Sequence, residues 1–342
     1  MAGSGPLVAL VVGGSGFLGS ALVRTLLGRG WQVRVFDRKP CAVPGAAYVG
    51  GDILRPDELR AACAGVDAVF QCASVIEWRP GADRVLHEVN VVGNRNVIAA
   101  CVAAGVPRLI YTSSIDVVFD GRPIRAGDER LPYPARFLDT YSRTKAAAER
   151  EVIAANGRGQ LLTCAIRPVG IFGPDDHVRI PAIIQAARQG QLVRVRPEGS
   201  RYDHVYVDNV AHMHALAAER LLPGSPVAGQ CYFATDGEPT PFIDFFAPYL
   251  ATYGLALPAR TIPFRLAYGF AAASELWARL WPRAPAGQPL TRYVIATLGN
   301  DCYVSYAKAA RDLGYAPLVS RAEAIERTLA WLRAAYPAGL VA

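Results

Sequence analysis

The stretch VVGGSGFLGSALVRTLL, residues 11–27, decides the fold. An apolar run ends in a turn in which Gly13, Gly16 and Gly19 are evenly spaced, and a helical pattern follows directly. Gly13 permits a tight turn, Gly16 lets the backbone approach a pyrophosphate, and Gly19 permits close packing of the helix on the strand. The N–H groups at the start of the helix favour phosphate. The stretch therefore predicts a dinucleotide-binding turn, and a purely structural turn is the alternative.

The first half of the chain alternates short β-branched runs with longer helical patterns, which is typical of a parallel sheet covered on both faces. We predict an α/β fold, a doubly wound parallel sheet (Rossmann) with a smaller C-terminal substrate-binding lobe. Glycines and prolines cluster after Pro168, so residues 1–168 plus about 204–235 are expected to form the dinucleotide-binding domain, and about 169–203 plus 236–342 the substrate lobe. The predicted strands are 7–12, 32–37, 46–51, 67–72, 108–114 and 161–168, and the predicted helices are 18–29, 57–64, 83–104 and 140–156.

Composition excludes several classes of protein. The 342 residues carry 36 Lys+Arg against 29 Asp+Glu, a net charge of +7, but the cations are scattered arginines without a basic block, so no nucleic-acid partner is expected. Seven cysteines without a CxxC pair indicate neither disulfides nor zinc, and a reducing cytoplasm fits best. No metal site is indicated, since the histidines lack ligand spacing. Residues 264–281 are expected to form a core or pocket-lining helix, with a membrane-surface helix as the alternative.

The coenzyme is indicated by residues that follow the second and third predicted strands. Asp37 ends the second strand, where a carboxylate can accept hydrogen bonds from the adenosine ribose. A 2′-phosphate would meet like charge there, so NAD is favoured, but Arg38 and Lys39 could hold that phosphate and NADP stays open. Asp52 and Ile53 are candidates for the adenine pocket, or else a helix N-cap and a core residue.

The catalytic candidates are a phenol, an ammonium and a hydroxyl. Tyr141 and Lys145 stand four apart on one face of a predicted helix. A phenol has an ordinary pKa near 10, and a neighbouring ammonium together with a positive nicotinamide ring would favour the phenolate. We therefore expect Tyr141 to take the proton of an alcohol while hydride leaves its carbon. Ser114, at the end of the fifth strand, is expected to bind the substrate oxygen, with Ser113 and Thr112 as rivals.

Asn90 lies within the helical stretch before the fifth strand. Its amide is expected either to hold a water molecule in a proton relay or to make local hydrogen bonds, as asparagines inside helices usually do.

These motifs together resemble the extended short-chain dehydrogenase/reductase superfamily, and within it the 3β-hydroxysteroid dehydrogenase branch, which includes the sterol-4-carboxylate 3-dehydrogenases. The resemblance runs over nearly the whole chain through GGSGFLG, GDIL, NVVGNRNVIAAC, YTSSIDVVFDG, YxxxK, RPVGIFGP and VYVDNVA. It implies a catalytic set of Ser114, Tyr141 and Lys145, with Lys145 also binding the nicotinamide ribose. One departure is Gln71, where many relatives have histidine, and it puts little of the mechanism in doubt.

The resemblance also implies that the turn at Pro168 and the loop after the fourth strand contact the coenzyme. Substrate contacts are expected from residues near the carboxyl edge of the sheet and from the second lobe. The expected coenzyme contacts are Gly13, Gly16, Phe17, Leu18, Gly19, Asp37, Arg38, Asp52, Ile53, Cys72, Ala73, Ser74, Asn90, Tyr141, Lys145, Pro168, Val169 and Gly170. The expected substrate contacts are Ile76, Trp78, Asp116, Phe119, Phe172, His177 and Tyr202.

The expected function is that of an NAD(P)-dependent oxidoreductase that interconverts a secondary alcohol and a ketone on a bulky lipophilic substrate. A 3β-hydroxysteroid or sterol dehydrogenase is favoured, including one that acts on a 4-carboxysterol with decarboxylation. The alternatives are a reductase of long-chain 2-alkyl-3-oxo acids in olefin hydrocarbon synthesis, a nucleotide-sugar epimerase or dehydratase, and a non-catalytic dinucleotide-sensing protein. A homodimer is expected by resemblance alone, and the basic surface allows peripheral association with a membrane.

Overall fold

The structure is a computed structural model that describes residues 5–77, 81–196, 200–280 and 291–337. Its longer strands are built from runs rich in valine, isoleucine and aromatic residues, which fit a pleated, buried surface. Each of the six predicted strands is present within a residue or two of its predicted bounds. The strands are β1 (Val8–Val12), β2 (Gln32–Asp37), β3 (Ala47–Gly50), β4 (Ala68–Gln71), β5 (Arg108–Thr112), β6 (Ile124–Gly127), β7 (Leu162–Pro168), β8 (Gly170–Phe172), β9 (Arg194–Arg196), β10 (Arg201–Tyr202), β11 (His204–Tyr206), β12 (Gln230–Ala234), β13 (Thr240–Pro241), β14 (Thr261–Pro263) and β15 (Cys302–Val304).

The helices cover the strands and continue into the C-terminal part of the chain. The predicted helix over 83–104 is interrupted, because residues Glu88–Gly93 form a π-helical turn between two α-helices. The helices are α1 (Phe17–Gly28), α2 (Pro56–Cys63), α3 (Asp83–His87), α4 (Asn94–Ala103), α5 (Thr140–Ala154), α6 (Arg179–Arg188), α7 (Val207–Arg220), α8 (Ala247–Ala251), α9 (Phe264–Leu280), α10 (Arg292–Gly299), α11 (Ala307–Leu313) and α12 (Arg321–Ala335), with 3₁₀ turns at Ile115–Val117 and Asp244–Phe246.

The central sheet has the strand order β12-β7-β5-β4-β1-β2-β3, and every neighbouring pair in it is parallel. The predicted α/β doubly wound fold is confirmed. From β1 the chain moves outward to β2 and β3 and then returns to β4 on the other side of β1. Ligands bind in open α/β sheets at such a reversal, beyond the carboxyl ends of the strands.

Smaller sheets lie beyond the carboxyl edge of the central one. Strands β13, β10, β15 and β6 form one sheet, β11 pairs with β8, and β14 pairs with β9. Strand β12 returns to the edge of the central sheet beside β7. The division into two lobes stays a prediction, and β6 lies across it, because β6 comes from the predicted first domain but pairs with β15.

Both faces of the central sheet are buried. Leu10 and Val12 face one apolar cluster and Ala9 and Val11 face the other, as alternation along a strand requires. In the part of the chain that the structure describes, no helix is long and apolar enough to cross a membrane.

Candidate active site

The glycine turn joins β1 to α1 as the sequence indicated. Gly13 has a φ of +82°, and a Cβ placed on it would lie 2.7 Å from the backbone nitrogen of Ala73. The N–H of Gly16 donates to the carbonyl of Gly13 at 3.2 Å, which closes the turn. A Cβ on Gly19 would collide with that same carbonyl oxygen, so α1 can pack this closely on the turn only with glycine there.

The start of α1 fits a dinucleotide pyrophosphate. Gly16 is the N-cap, it offers no side chain to the first N–H groups of the helix, and the first turn carries no acidic residue. The N–H groups of Phe17 and Leu18 are therefore open to an anion, which the helix dipole also favours. A cavity of about 560 Å³ adjoins this turn and is lined by Ser15, Gly16 and Phe17 on one side and by His177 on another.

His177, expected to touch substrate, thus lies in the cavity at the glycine turn. Its Nδ1 is 2.8 Å from the hydroxyl of Tyr336, and its ring packs edge-on against Trp331 at 5.2 Å.

The carboxylate of Asp37 is fixed beside the turn. Oδ2 accepts a hydrogen bond from the N–H of Ser15 and Oδ1 accepts one from the N–H of Lys39, each at 3.1 Å. Each oxygen retains a lone pair, so the carboxylate can still accept from a ribose hydroxyl. Arg38 and Lys39 are exposed next to it.

The two candidates for the adenine pocket lie between β3 and α2. Asp52 is not the helix N-cap, which is Arg55; its Oδ1 instead accepts from the N–H of Leu54 at 2.9 Å. Ile53 is 7% exposed, and its side chain fills the space beside Gly93, where a Cβ would lie 2.5 Å from Ile53 Cδ1. Ile53 was expected to lie either in the adenine pocket or in the core, and its burial supports the second of these.

Gln71 holds the loop after β4. Its Oε1 accepts from the N–H of Ala73 at 3.1 Å, and its Nε2 donates to the carbonyl of the same residue at 3.3 Å. Ala73 is the residue that Gly13 approaches. The buried Gln71 therefore fixes the backbone that lies against the glycine turn. Cys72 next to it is half-buried, and desolvation raises the pKa of its thiol to about 11, so the thiol is not activated as a nucleophile.

Asn90 lies in the π-helical turn and makes tertiary hydrogen bonds. Its Oδ1 accepts from the N–H of Val75 at 2.8 Å, while its Nδ2 donates to the carbonyl of Val75 at 3.0 Å and to Oγ1 of Thr144 at 3.2 Å. The amide therefore ties the loop after β4 to α5. Of the two expectations for Asn90, hydrogen bonding to the protein is the one that these distances support. Further along that loop, Ile76 is 55% exposed, and Trp78 lies outside the described residues.

Lys145 is buried one turn after Tyr141 on α5. Its Nζ donates to the backbone carbonyl of Thr112 at 2.6 Å and lies 4.4 Å from the centre of the Tyr111 ring. Burial lowers the pKa of this ammonium to about 8. Asp139 begins the helix as its N-cap, accepting from the N–H of Ser142 at 2.8 Å, which is why Tyr141 lies in the first turn.

Tyr141 is hydrogen-bonded to Ser114, and its surroundings raise its pKa. Burial raises the pKa of the phenol above its ordinary value, the charge of Asp116 raises it further, and only the hydrogen bond to Ser114 lowers it. Lys145 is not among the groups that shift this pKa, and its ammonium donates to the carbonyl of Thr112; the expected effect of the ammonium together with a nicotinamide ring stays a prediction. Ser114 is favoured over Thr112, since the Thr112 hydroxyl is already hydrogen-bonded to His214 and Cys72, whereas the buried hydroxyl of Ser113 has no hydrogen-bond partner among the described residues.

Asp116 and Tyr293 extend this group in a way that the sequence did not reveal. The hydroxyl of Ser114 donates to Oδ2 of Asp116 at 2.8 Å, and the hydroxyl of Tyr293 on α10 donates to Oδ1 at 2.7 Å. Burial raises the pKa of Asp116 to about 6, and the nearby Asp139 adds to the rise. Asp116 links Ser114 to Tyr293, 177 residues further along the chain, and its expected contact with substrate stays a prediction. No local pattern marks Tyr293, so only the fold could identify it.

The remaining expected contacts are mostly packed side chains. Phe119 is 3% exposed and meets the edge of the Tyr293 ring at 6.2 Å. Phe172 is fully buried against Phe245, and Tyr202 packs on Phe242 at 5.1 Å. All three are packed side chains in this structure, and their role as substrate contacts stays a prediction.

The turn at the end of β7 is held by the backbone. The N–H of Val169 donates to the carbonyl of Ala234 at 3.1 Å, which joins Pro168, Val169 and Gly170 to the end of β12. Gly170 is confined by Arg179, because a Cβ there would lie 2.5 Å from Nη1 of that guanidinium. No motif or spacing in the sequence singles out Arg179.

No cluster of three or more His, Cys, Asp or Glu side chains that could hold a metal ion occurs within residues 5–77, 81–196, 200–280 and 291–337.

Comparison with known proteins places this geometry in a family. The chain is 40% identical over 332 residues to a 3-beta-hydroxysteroid dehydrogenase of Mycolicibacterium neoaurum, covering 94% of this chain and 90% of that one. It is 41% identical to a 2-alkyl-3-oxoalkanoate reductase of Stenotrophomonas maltophilia, covering 93% and 97% of the two chains. It is 39% identical to a decarboxylating sterol-4-alpha-carboxylate 3-dehydrogenase of Mus musculus, covering 93% and 89%.

Among solved structures, the crystal structure of gox2253 superposes with a TM-score of 0.75 at 29% identity, covering 96% of this chain and 98% of that one. The model of the 3-beta hydroxysteroid dehydrogenase/isomerase family matches residues 10–266, which include the glycine turn, Ser114, Tyr141 and Lys145. The chain therefore belongs to the 3-beta hydroxysteroid dehydrogenase/isomerase family and is an NAD(P)-dependent oxidoreductase.

Proposed function

We propose that this chain oxidises the 3β-hydroxyl group of a steroid or sterol with NAD, and that a 4-carboxysterol is among its substrates. The observation that carries the proposal is the hydrogen bond between Tyr141 and Ser114, with Lys145 buried on the next turn, at the carboxyl edge of the sheet. Two relatives at about 40% identity are named for the oxidation of such hydroxyl groups.

In this mechanism Tyr141 takes the proton of the substrate hydroxyl. Ser114 accepts or donates a hydrogen bond at the same oxygen as its charge changes. Lys145 supplies a positive charge that can reach the nicotinamide ribose, since its pKa of about 8 leaves it protonated at neutral pH. NAD, when bound at the glycine turn, would supply the hydride acceptor and a positive nicotinamide ring that would favour the phenolate of Tyr141. Such a positive charge would oppose burial and the charge of Asp116, both of which raise the pKa of Tyr141.

A 4-carboxysterol would lose CO₂ after oxidation. The bond between C4 and the carboxylate carbon breaks, the electron pair moves into the new 3-ketone as an enolate, and a proton from water then adds at C4. The step needs no further oxidant, so the same site suffices.

A second candidate is reduction of a long-chain 2-alkyl-3-oxo acid. The 41% identity to a reductase of that name over nearly its whole length favours it specifically. The chemistry is the same reaction in reverse, with Tyr141 donating the proton.

Helix α9 supports peripheral association with an anionic membrane. Leu266, Phe270 and Trp277 are 68%, 66% and 61% exposed and follow one face of the helix, while Ala271 on the opposite face is buried. Exposed Arg265 adds positive charge beside this stripe. Sedimentation with phosphatidylserine-containing vesicles should fall when Phe270 is replaced by Asp. The expected homodimer and cytoplasmic location stay predictions.

The function is tested by assaying the purified protein with a 3β-hydroxysteroid, a 3β-hydroxy-4-carboxysterol and a 2-alkyl-3-hydroxy acid, each with NAD and with NADP. Turnover of a steroid substrate is expected, and turnover of the fatty acid alone would overturn the first choice. Tyr141→Phe should lower kcat by roughly 10²–10⁴-fold without loss of coenzyme binding. Tyr303→Phe is the matched control and should leave kcat unchanged.

A further inference from the structure

Arg179, at the start of α6, is a partly buried cation that makes no direct ion pair with a carboxylate among the described residues, although its charge lowers the pKa values of Asp116 and Asp176. None of the ion pairs formed among the described residues includes it. Its Nη2 lies 3.0 Å from Nδ1 of His204, and its Nη1 donates to the carbonyl of Ile171 at 3.4 Å. Both partners are neutral, because burial and the arginine charge hold the pKa of His204 well below its ordinary value.

The guanidinium lies at the edge of the reaction site. It confines Gly170, which follows the turn expected to contact the nicotinamide. Its field also reaches Asp116, where it lowers the pKa of the carboxyl group that accepts a hydrogen bond from Ser114. Arg179 therefore lies near enough to Asp116 to act on its charge, on the side of β8 and β11.

Apolar surroundings make this charge effective. The aromatic rings of Tyr202, Phe242 and Phe246 lie 5.9, 5.5 and 5.3 Å from the guanidinium carbon. A cation among such rings interacts strongly with an anion because little water screens the pair. The planar fork of a guanidinium fits a carboxylate with two parallel hydrogen bonds, and Arg179 uses only two of its five N–H donors in the contacts above.

We propose that Arg179 binds a carboxylate of the substrate, so that the preferred substrate is a β-hydroxy or β-oxo acid and not a neutral alcohol. The inference rests on the proposed function and narrows it. A 3-hydroxy-4-carboxysterol and a 2-alkyl-3-hydroxy acid both carry the carboxylate one carbon from the reacting carbon, and both would meet the guanidinium while the hydroxyl group meets Tyr141.

The test compares two matched pairs: a 2-alkyl-3-hydroxy acid with its methyl ester, and a 3β-hydroxy-4-carboxysterol with its methyl ester. The wild type should show a lower KM for each acid than for its ester. Arg179→Gln should raise KM for the acids by roughly 30-fold and leave the esters within about twofold, since only the charged pair is lost. Arg179→Lys should recover part of the loss. Arg188→Gln, at the exposed end of the same helix, is the control and should change KM for neither the acids nor the esters.

Arg179→Gln could instead raise KM equally for acid and ester, or for neither. Either result would show that Arg179 only joins β8 to β11, and would overturn the inference while the proposed function stands. Failure of the wild type to oxidise either pair would overturn the proposed function. In that case thermal unfolding with the hydroxy acid and NAD decides the inference separately. A rise in Tm that is absent in Arg179→Gln supports it, and no rise in the wild type contradicts it.

Discussion

The hydroxyl of Ser114 donates a 2.8 Å hydrogen bond to the carboxylate of Asp116, two residues further along the chain. The same hydroxyl is hydrogen-bonded to Tyr141, so the serine connects the phenol to a buried carboxyl group. Tyr293 holds the other oxygen of that carboxyl group. The protonation state of Asp116 therefore decides whether Ser114 has a proton to offer to a substrate oxygen.

Asp116→Asn should change how stability depends on pH. Burial raises the pKa of Asp116 to about 6, so the folded protein binds this proton more tightly than the unfolded chain, and the free energy of unfolding falls as pH rises from about 4 to 6. An asparagine side chain does not titrate, so the free energy of unfolding of the variant does not fall in this way. We expect the variant to match the wild type at pH 4 and to exceed it by about 1–3 kcal/mol at pH 8, as measured by urea unfolding.

Asp128→Asn is the contrasting variant, because Arg130 lowers the pKa of that exposed carboxyl group. Its free energy of unfolding at pH 8 should not exceed that of the wild type. If Asp116→Asn followed the wild-type curve at every pH, the carboxyl group would not be buried as described.

Gly19→Ala should disrupt the coenzyme site and Gly28→Ala should not. A methyl group on Gly19 collides with the carbonyl of Gly13, so α1 must move away from the turn. Gly28 ends the same helix and has nothing within 4 Å of its Cβ position. We expect Gly19→Ala to abolish measurable binding of NAD in calorimetry, and Gly28→Ala to bind normally with a free energy of unfolding up to about 1 kcal/mol higher. Normal binding by both variants would argue against this turn as the pyrophosphate site.

Arg167→Met should be strongly destabilising. Its guanidinium lies 2.7 Å from Glu149, and the two side chains are 4% and 0% exposed. Removing one partner leaves a buried charge, which costs about 3–5 kcal/mol of unfolding free energy. Arg95→Met breaks a pair of 2.6 Å with Glu151 in which the arginine is 56% exposed, so it should cost less than about 1 kcal/mol. Adding Glu149→Leu to Arg167→Met should recover part of the loss in denaturant titrations, and no recovery would contradict a charge-burial origin.

Asp37→Asn should move coenzyme preference toward NADP. The carboxylate is held by the N–H groups of Ser15 and Lys39, beside the turn where we expect the adenosine ribose to bind. Removing its charge should improve the ratio of NADP to NAD affinity by roughly tenfold, which corresponds to about 1.4 kcal/mol. Lys39→Met should change the ratio in the opposite direction. Coenzyme titrations that gave an unchanged ratio for Asp37→Asn would show that Asp37 does not face the ribose.

The sequence predicted the central sheet well because its signals are local. Each strand is a short apolar run, and Gly13, Gly16 and Gly19 mark the turn after the first one. Tyr141 and Lys145 are recognisable by spacing alone, and α5 does place them one turn apart.

What the sequence did not predict depends on contacts between distant segments. Tyr293 reaches Asp116 across 177 residues, and Arg179 reaches His204 from a different element. Spacing also cannot show that the ammonium of Lys145 donates to the carbonyl of Thr112. The π-helical turn at Asn90 likewise depends on partners in the loop after β4 and in α5, which no helical pattern reveals.

The edge position of β12 bears on how the protein is made. Its residues Gln230–Ala234 pair with β7, which ends at Pro168, so some sixty residues of other structure separate the two partners along the chain. During synthesis the nascent polypeptide would expose an unpaired β7 edge until the ribosome had released Ala234. Fragments that stop near Pro168 should therefore associate through that edge and aggregate, and a protease cut within 169–229 need not separate the two parts of a completed molecule.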